Sequence, residues 1–226
     1  MLRANEVLDA LQQSESSLSL SLKEKEALLK EVHHRVKNNI QIISSLLNLQ
    51  ANYINDDMAS EIINDSRNRV QSMALIHDKL YRSKDLTNID FAPYVRDLVS
   101  YLLHSYTLSE GLISININID EIYLGVDTAI PLGLIINELL TNAFRHAFPE
   151  GRKGEITISS QKSGEHKLSL TIADNGVGFP NNLKFPDPQS LGLQLVDTLI
   201  EQLKGAVKVK SDSHGTKYEI DLPEIH

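Results

Sequence analysis

Leu22, Leu29, Val32, Val36, Ile43 and Leu46 recur on one heptad seam, interrupted by Asn39. The pattern predicts one long helix with an apolar edge over about 23–53. The polar Asn-Asp-Asp at 55–57 then supplies a turn. Beyond it, Ile62, Ile63, Val70, Met73, Ile76 and Leu80 repeat at spacings of three and four, which predicts a second amphipathic helix with Asp65, Arg67, Arg69 and Asp78 facing out. Two antiparallel helices cannot bury two apolar stripes by themselves. A partner hairpin would complete a four-helix bundle, so a homodimer is expected. Residues 1–22 carry leucines at roughly helical spacing around the serine-rich run SESSLSLSL and read as a helical linker of weak register.

After Lys84 the pattern changes. Phe91–Tyr106 reads as a helix, Leu112–Ile119 alternates as a strand, and Thr128–Ala147 is a strongly apolar helix. Two strands, GEITISS and HKLSLTIAD, follow around a Ser-Gly turn. A loop from Asn175 to Gln189, a helix over about Leu191–Leu203 and a closing strand pair complete the chain. Helices set beside mostly paired strands predict an α+β chain: a helical hairpin over 23–85, then an α/β sandwich over 86–226.

Composition narrows the partners. With 22 Lys+Arg against 30 Asp+Glu the formal charge is −8, and no basic cluster stands out, which argues against nucleic acid and anionic membrane. The chain has no cysteine, so disulfides and cysteine-based metal sites are excluded. No apolar run is long enough for a membrane span and the N-terminus lacks a signal peptide's apolar core, so the expected location is cytoplasmic.

Candidate chemistry sits at five places. In EVHHRVKNN, His34 falls on the polar side of the first helix, with Glu31, Lys37 and Asn38 as its helical neighbours. In NELLTNAFRHAF, Glu138, Asn142 and Arg145 share one helical face beside His146. The Asn142 amide oxygen is a hard neutral ligand of the kind Mg²⁺ accepts with phosphate oxygens and water, and Arg145 could neutralise phosphate. In DNGVGF, Asp174 emerges at a strand end, where a carboxylate can accept a hydrogen bond from an exocyclic amine such as adenine's. Gly176 and Gly178 there allow close backbone approach. In SLGLQL, Ser190 is a plausible N-cap and Gly192 lies in the first helical turn, which presents free amides to phosphate. Gly215 and Thr216 open the last strand. Each segment alone also fits a bland surface face, turn or cap.

Taken together and in this order, the last four segments resemble the GHKL ATPase superfamily over roughly residues 85–223: an acidic-x-x-x-Asn N box, DNGVG as G1 box, SLGLQL as G2 box and the closing Gly-Thr. The upstream HHRVKNN resembles the phosphoacceptor segment of HWE-related sensor histidine kinases of the HRxKN type. Ser190 stands where many relatives carry glycine, and the tryptophan often seen in HWE kinases is absent. The fold this implies is a phosphotransfer hairpin followed by a sandwich of the GHKL (Bergerat) type.

The resemblance implies that His34 is phosphorylated from Mg-ATP and that the phosphoryl passes to an aspartate of a response-regulator receiver domain. It makes Asn142 the Mg²⁺ ligand, Asp174 the adenine acceptor, Arg145 and His146 the phosphate lining, and Gly192 and Gly215 shapers of the pocket. Glu31, one turn before His34, and Glu138 are candidates to orient the imidazole or accept its proton; a free imidazole is largely neutral and nucleophilic near pH 7. Two alternatives stand beside this reading. Glu138 could activate water in a gyrase-like ATPase, or the chain could be a dimeric scaffold without turnover.

Overall fold

The computed structural model describes residues 2–51, 53–54, 56–82, 89–106, 112–163, 167–180, 185–188 and 190–223. The linker near Asp85, the Ser-Gly turn and part of the loop before Ser190 lie outside them.

The first helix, α1 (Leu2–Ala51), is unbroken through the serine-rich run, where no change of element marks residue 22. Asp56 caps the second, α2 (Asp57–Arg82): its Oδ1 accepts from the Ala59 amide at 2.7 Å. The two helices form an antiparallel hairpin. Ile40 is buried at 9% exposure, the most covered of the described side chains of α1, with Val36, Ser44 and Leu47 half-covered along the same flank. The rest of the seam stays open: Leu29, Val32, Ile43 and Leu46 are 46–54% exposed. One partner helix covers one flank of an apolar stripe and leaves the other flank in water.

The second unit opens with the two-residue strand β1 (Ile89–Asp90) and α3 (Phe91–Ser105). Then come β2 (Ile113–Ile119), β3 (Tyr123–Leu124) and α4 (Val126–Asn142), which runs on into a π-helical turn at Ala143–Ala147. The strands β4 (Gly154–Ser163) and β5 (Lys167–Asp174), the helix α5 (Leu191–Gln202), and β6 (Ala206–Asp212) and β7 (Gly215–Leu222) finish it. β1 pairs with β3 in a small antiparallel ribbon that the alternation pattern did not reveal. The main sheet has the order β2-β4-β5-β7-β6, parallel only between β2 and β4.

Alternation decides the sandwich. Leu168, Leu170 and Ile172 of β5 and Tyr218, Ile220 and Leu222 of β7 point at the helices, while the residues between them face water. Leu98, Leu102, Leu132, Ile135, Ile136 and Leu139 meet them from α3 and α4. Each such aliphatic contributes about 1.5–3 kcal/mol by leaving water.

One expectation fails at the join between the units. Asp65 and Arg69, read as facing solvent, face α4 and pair with Arg145 and Glu138. A helical wheel shows which positions lie off the apolar stripe; it does not show that a second unit covers them. Between these pairs Asn68, 1% exposed, accepts from the Tyr101 and Ser105 hydroxyls and donates to the Tyr106 hydroxyl. Ile76, fully buried, continues the same interface into the core of the sandwich.

Candidate nucleotide site

A cavity of about 440 Å³ opens between α4, the end of β5, the start of α5 and the start of β7. Leu139, Leu193 and Tyr218 give it apolar walls, and Asp174 lies among them. Asn142, His146 and Ser190 line it and also a second, smaller cavity that extends towards Glu138 and Arg145. The volume falls within the range of small-molecule sites.

Asp174 is the last residue of β5, where the strand delivers its carboxylate into the cavity. Its Oδ1 accepts from the Gly176 amide at 2.8 Å and the Thr216 amide at 3.3 Å. Burial pushes its carboxyl above the usual carboxylate range, and the two amides oppose that rise. An acceptor oriented by backbone beside apolar walls suits a flat ring with an exocyclic amine. The residues present therefore fit a nucleotide base.

Gly215, at φ +135°, is forced: a Cβ there would lie 1.9 Å from the Asp174 carbonyl oxygen. Gly176 and Gly178 carry the chain past Ala147 and Asp212 in the same close manner. Thr216 contributes its amide to Asp174, and its hydroxyl meets Ser211 Oγ at 2.9 Å. Ser211 in turn accepts from the Phe179 amide at 2.8 Å, which ties the G1 loop to the β6–β7 hairpin.

The N box spans a change of helix type. Asn142 ends α4, and Arg145 and His146 sit in the π-helical turn, a local irregularity that often marks functional positions. The face expected for Glu138, Asn142 and Arg145 survives this change, since all three line the smaller cavity. Ser190 caps α5, its Oγ accepting from the Leu193 amide at 3.4 Å. Gly192 lies so near Glu138 that a Cβ there would sit 2.8 Å from Oε2. The amide end of α5 thus flanks the N box.

His34 is exposed on α1, and Glu31 beside it is engaged by Arg35 at 2.8 Å. The fold gathers Glu138, Asn142, Arg145, His146, Asp174, Gly176, Gly178, Gly192, Gly215 and Thr216 around two adjoining cavities and leaves His34 and Glu31 on the hairpin. Sequence reasoning missed the apolar lining, Leu139, Phe179, Leu193 and Tyr218, as well as Ser211, Asp65 and Arg69. Tyr218 was within reach: it sits two residues beyond Thr216, on the same face of an alternating strand. Among the described residues no cluster of three His, Asp or Glu side chains could hold a metal, and no helix is long and apolar enough to cross a membrane.

Comparison with known proteins agrees with this geometry. Residues 31–106 match a family described as "Histidine kinase", and residues 127–226 one described as "Histidine kinase-, DNA gyrase B-, and HSP90-like ATPase". The sensor histidine kinase PdtaS of Mycobacterium tuberculosis is 35% identical over 88% of this chain and 40% of its own length. The blue-light-activated histidine kinase 2 of Erythrobacter litoralis is 30% identical over 86% of this chain and 56% of its own. The chain therefore spans about two fifths to just over half of these curated relatives. Among solved structures, the histidine kinase domain of an Erythrobacter litoralis blue-light-activated kinase superposes with a TM-score of 0.66 at 28% identity, covering 87% of this chain and 93% of that one. By its two family segments, its relatives and its fold, the chain belongs to the histidine kinases.

Proposed function

We propose that the chain acts as a sensor histidine kinase core that phosphorylates His34 from ATP and hands the phosphoryl group to a response-regulator aspartate. The observation that carries this reading is one chain presenting an exposed imidazole on a helical hairpin and, on the sandwich, a cavity lined by a backbone-anchored carboxylate.

Adenine fills the slot between Leu139, Leu193 and Tyr218, with Asp174 accepting from its amine. The phosphates run past Asn142, His146 and Ser190 towards Arg145 and the first turn of α5, whose free amides favour anions. Mg²⁺, when bound, would supply charge neutralisation at the phosphates, and the Asn142 amide oxygen would hold it. A neutral nitrogen of His34 forms the bond to phosphorus as the bond to the bridging oxygen breaks. ADP leaves with that electron pair, and the ring proton goes to a base. Placement and charge neutralisation supply most of the catalysis.

Glu31 and Glu138 are the proposed orienting or proton-accepting groups. Each is held by an arginine, Arg35 and Arg69, that has to yield before the carboxylate can serve. The exposed seam at Leu29, Val32, Ile43 and Leu46 supports a homodimer through a four-helix bundle. The hairpin speaks against a gyrase-like ATPase, which has no use for a displayed histidine. Transfer of a labelled γ-phosphoryl to the protein in a base-stable, acid-labile form tests the assignment.

A further inference from the structure

Two ion pairs join the hairpin to the N box through Glu138 and Arg145, groups that the proposed chemistry also uses. Arg69 clasps Glu138 with Nε to Oε1 at 2.8 Å and Nη2 to Oε2 at 2.7 Å. Arg145 clasps Asp65 in the same forked manner, with Nη1 to Oδ2 at 2.9 Å. The side chains of Arg69 and Glu138 are 18% and 6% exposed and those of Arg145 and Asp65 19% and 21%, so water screens neither pair well. The Glu138 hydrogen bond is also the chief reason the Arg69 guanidinium holds its proton more tightly than usual.

The position of these pairs along the hairpin matters as much as their strength. Lys37 pairs with Asp78, and Arg67 approaches Asn48 at 3.5 Å. Both fix one register: eleven residues forward on α1 match eleven residues back on α2. In that register Arg69 is level with Leu46, which is twelve residues beyond His34. At 1.5 Å per residue the offset along the bundle is about 18 Å. The Asp65 pair lies a further turn away. A parallel partner hairpin would display its own His34 at the same height, so the offset holds for either histidine.

We infer that Asp65 and Arg69 are positioning residues: acting through Arg145 and Glu138, they latch the N box onto α2 at a level from which the phosphates cannot reach His34. The inference rests on the phosphotransfer reading. The latch occupies groups that nucleotide uses. Phosphate draws Arg145 away from Asp65, and a metal-bound triphosphate beside Asn142 competes with Arg69 for Glu138. Loading the pocket therefore weakens the docking of the pocket on α2, and the energy of binding is spent partly on release. Removing Arg69 leaves Glu138 buried without a cation, a state relieved by opening the interface to water. Ile76, seven residues beyond Arg69 on α2 and buried in the core of the sandwich, keeps the units associated while the ionic end opens.

The chain has no cysteine, so Gln41→Cys on α1 and Gln161→Cys on β4, both at exposed positions, give two unique labels for an interlabel distance on the full chain once labelled chains are diluted into an excess of unlabelled ones. One dominant distance is expected without nucleotide. A second population should grow when Mg²⁺ and a non-hydrolysable ATP analogue are added. Arg69→Ala and Asp65→Ala should show that second population without nucleotide and raise the initial rate of autophosphorylation severalfold, with Arg69→Lys lying between. The inference is overturned if the analogue leaves the wild-type distance unchanged, a result that needs no variant to fold. It is equally overturned if folded Arg69→Ala keeps the latched distance or loses its label, which would make Arg69 a phosphate ligand. A distance that shifts as expected in a protein that never takes label would leave the latch standing and remove the kinase reading instead.

Discussion

The Thr216 amide reaches across the β5–β7 pair to Asp174 Oδ1 at 3.3 Å, on the same oxygen that the Gly176 amide meets at 2.8 Å. One carboxylate oxygen is thereby fixed by backbone. Among the described residues, Oδ2 accepts no hydrogen bond, which leaves it for a ligand. Asp174→Asn keeps an oxygen for the two amides and loses the charge. It should leave the melting temperature unchanged or higher, since a buried charge is removed, and weaken ATP binding roughly 10–100-fold, the worth of a hydrogen bond to a charged group. Titration of a fluorescent ATP analogue beside a thermal melt checks both.

The pH dependence follows from the same group. Burial raises the Asp174 carboxyl, and adenine's amine is accepted by the charged form. Protonation therefore competes with nucleotide, beginning at a higher pH than for an ordinary aspartate near 4. Affinity should be flat at neutral pH and fall as the pH drops into that raised range; Asp174→Asn should lose this step. For stability the sign is opposite: a raised carboxyl favours the folded protein when protonated, and that contribution is lost as pH rises through it. Binding isotherms from neutral to mildly acidic pH test the claim.

Gly215 admits no side chain. Gly215→Ala places a Cβ against the Asp174 carbonyl in a conformation that costs of order 1–3 kcal/mol for other residues. The relief available is a shift of β7 away from β5, which carries the Thr216 amide off Asp174. A lower melting temperature together with lost nucleotide binding is expected, measured against the milder Asp174→Asn.

The open seam predicts assembly. Ile43 and Leu46 are 46% and 54% exposed in the single chain. Replacing both with aspartate should shift the sedimentation mass from two chains to one while the nucleotide affinity stays at the wild-type value, because the cavity lies on the sandwich.

Much of this was legible in the letters. Alternation in LISININI and TKYEIDL gave strands with a known inward face, and the N box, DNGVG and the closing Gly-Thr came together as their order implied. What stayed hidden had physical reasons. β1 and β3 are two residues each, too short for any period to register. The serine-rich run does not end α1, since the propensity cost of each serine in a helix is only a few tenths of a kcal/mol. Asp65 and Arg69 resemble solvated charges until their partners appear 80 and 69 residues away, and no local pattern carries that information.

The most direct test is incubation with Mg²⁺ and ATP labelled at its γ-phosphoryl, followed by acid and base treatment, on the wild type and His34→Ala. His34 is exposed, so its truncation should leave the fold and nucleotide affinity intact. Label that survives base, is lost in acid and is absent from His34→Ala is the predicted result. Full labelling of His34→Ala, or a wild type that binds ATP and takes no label, would contradict the account.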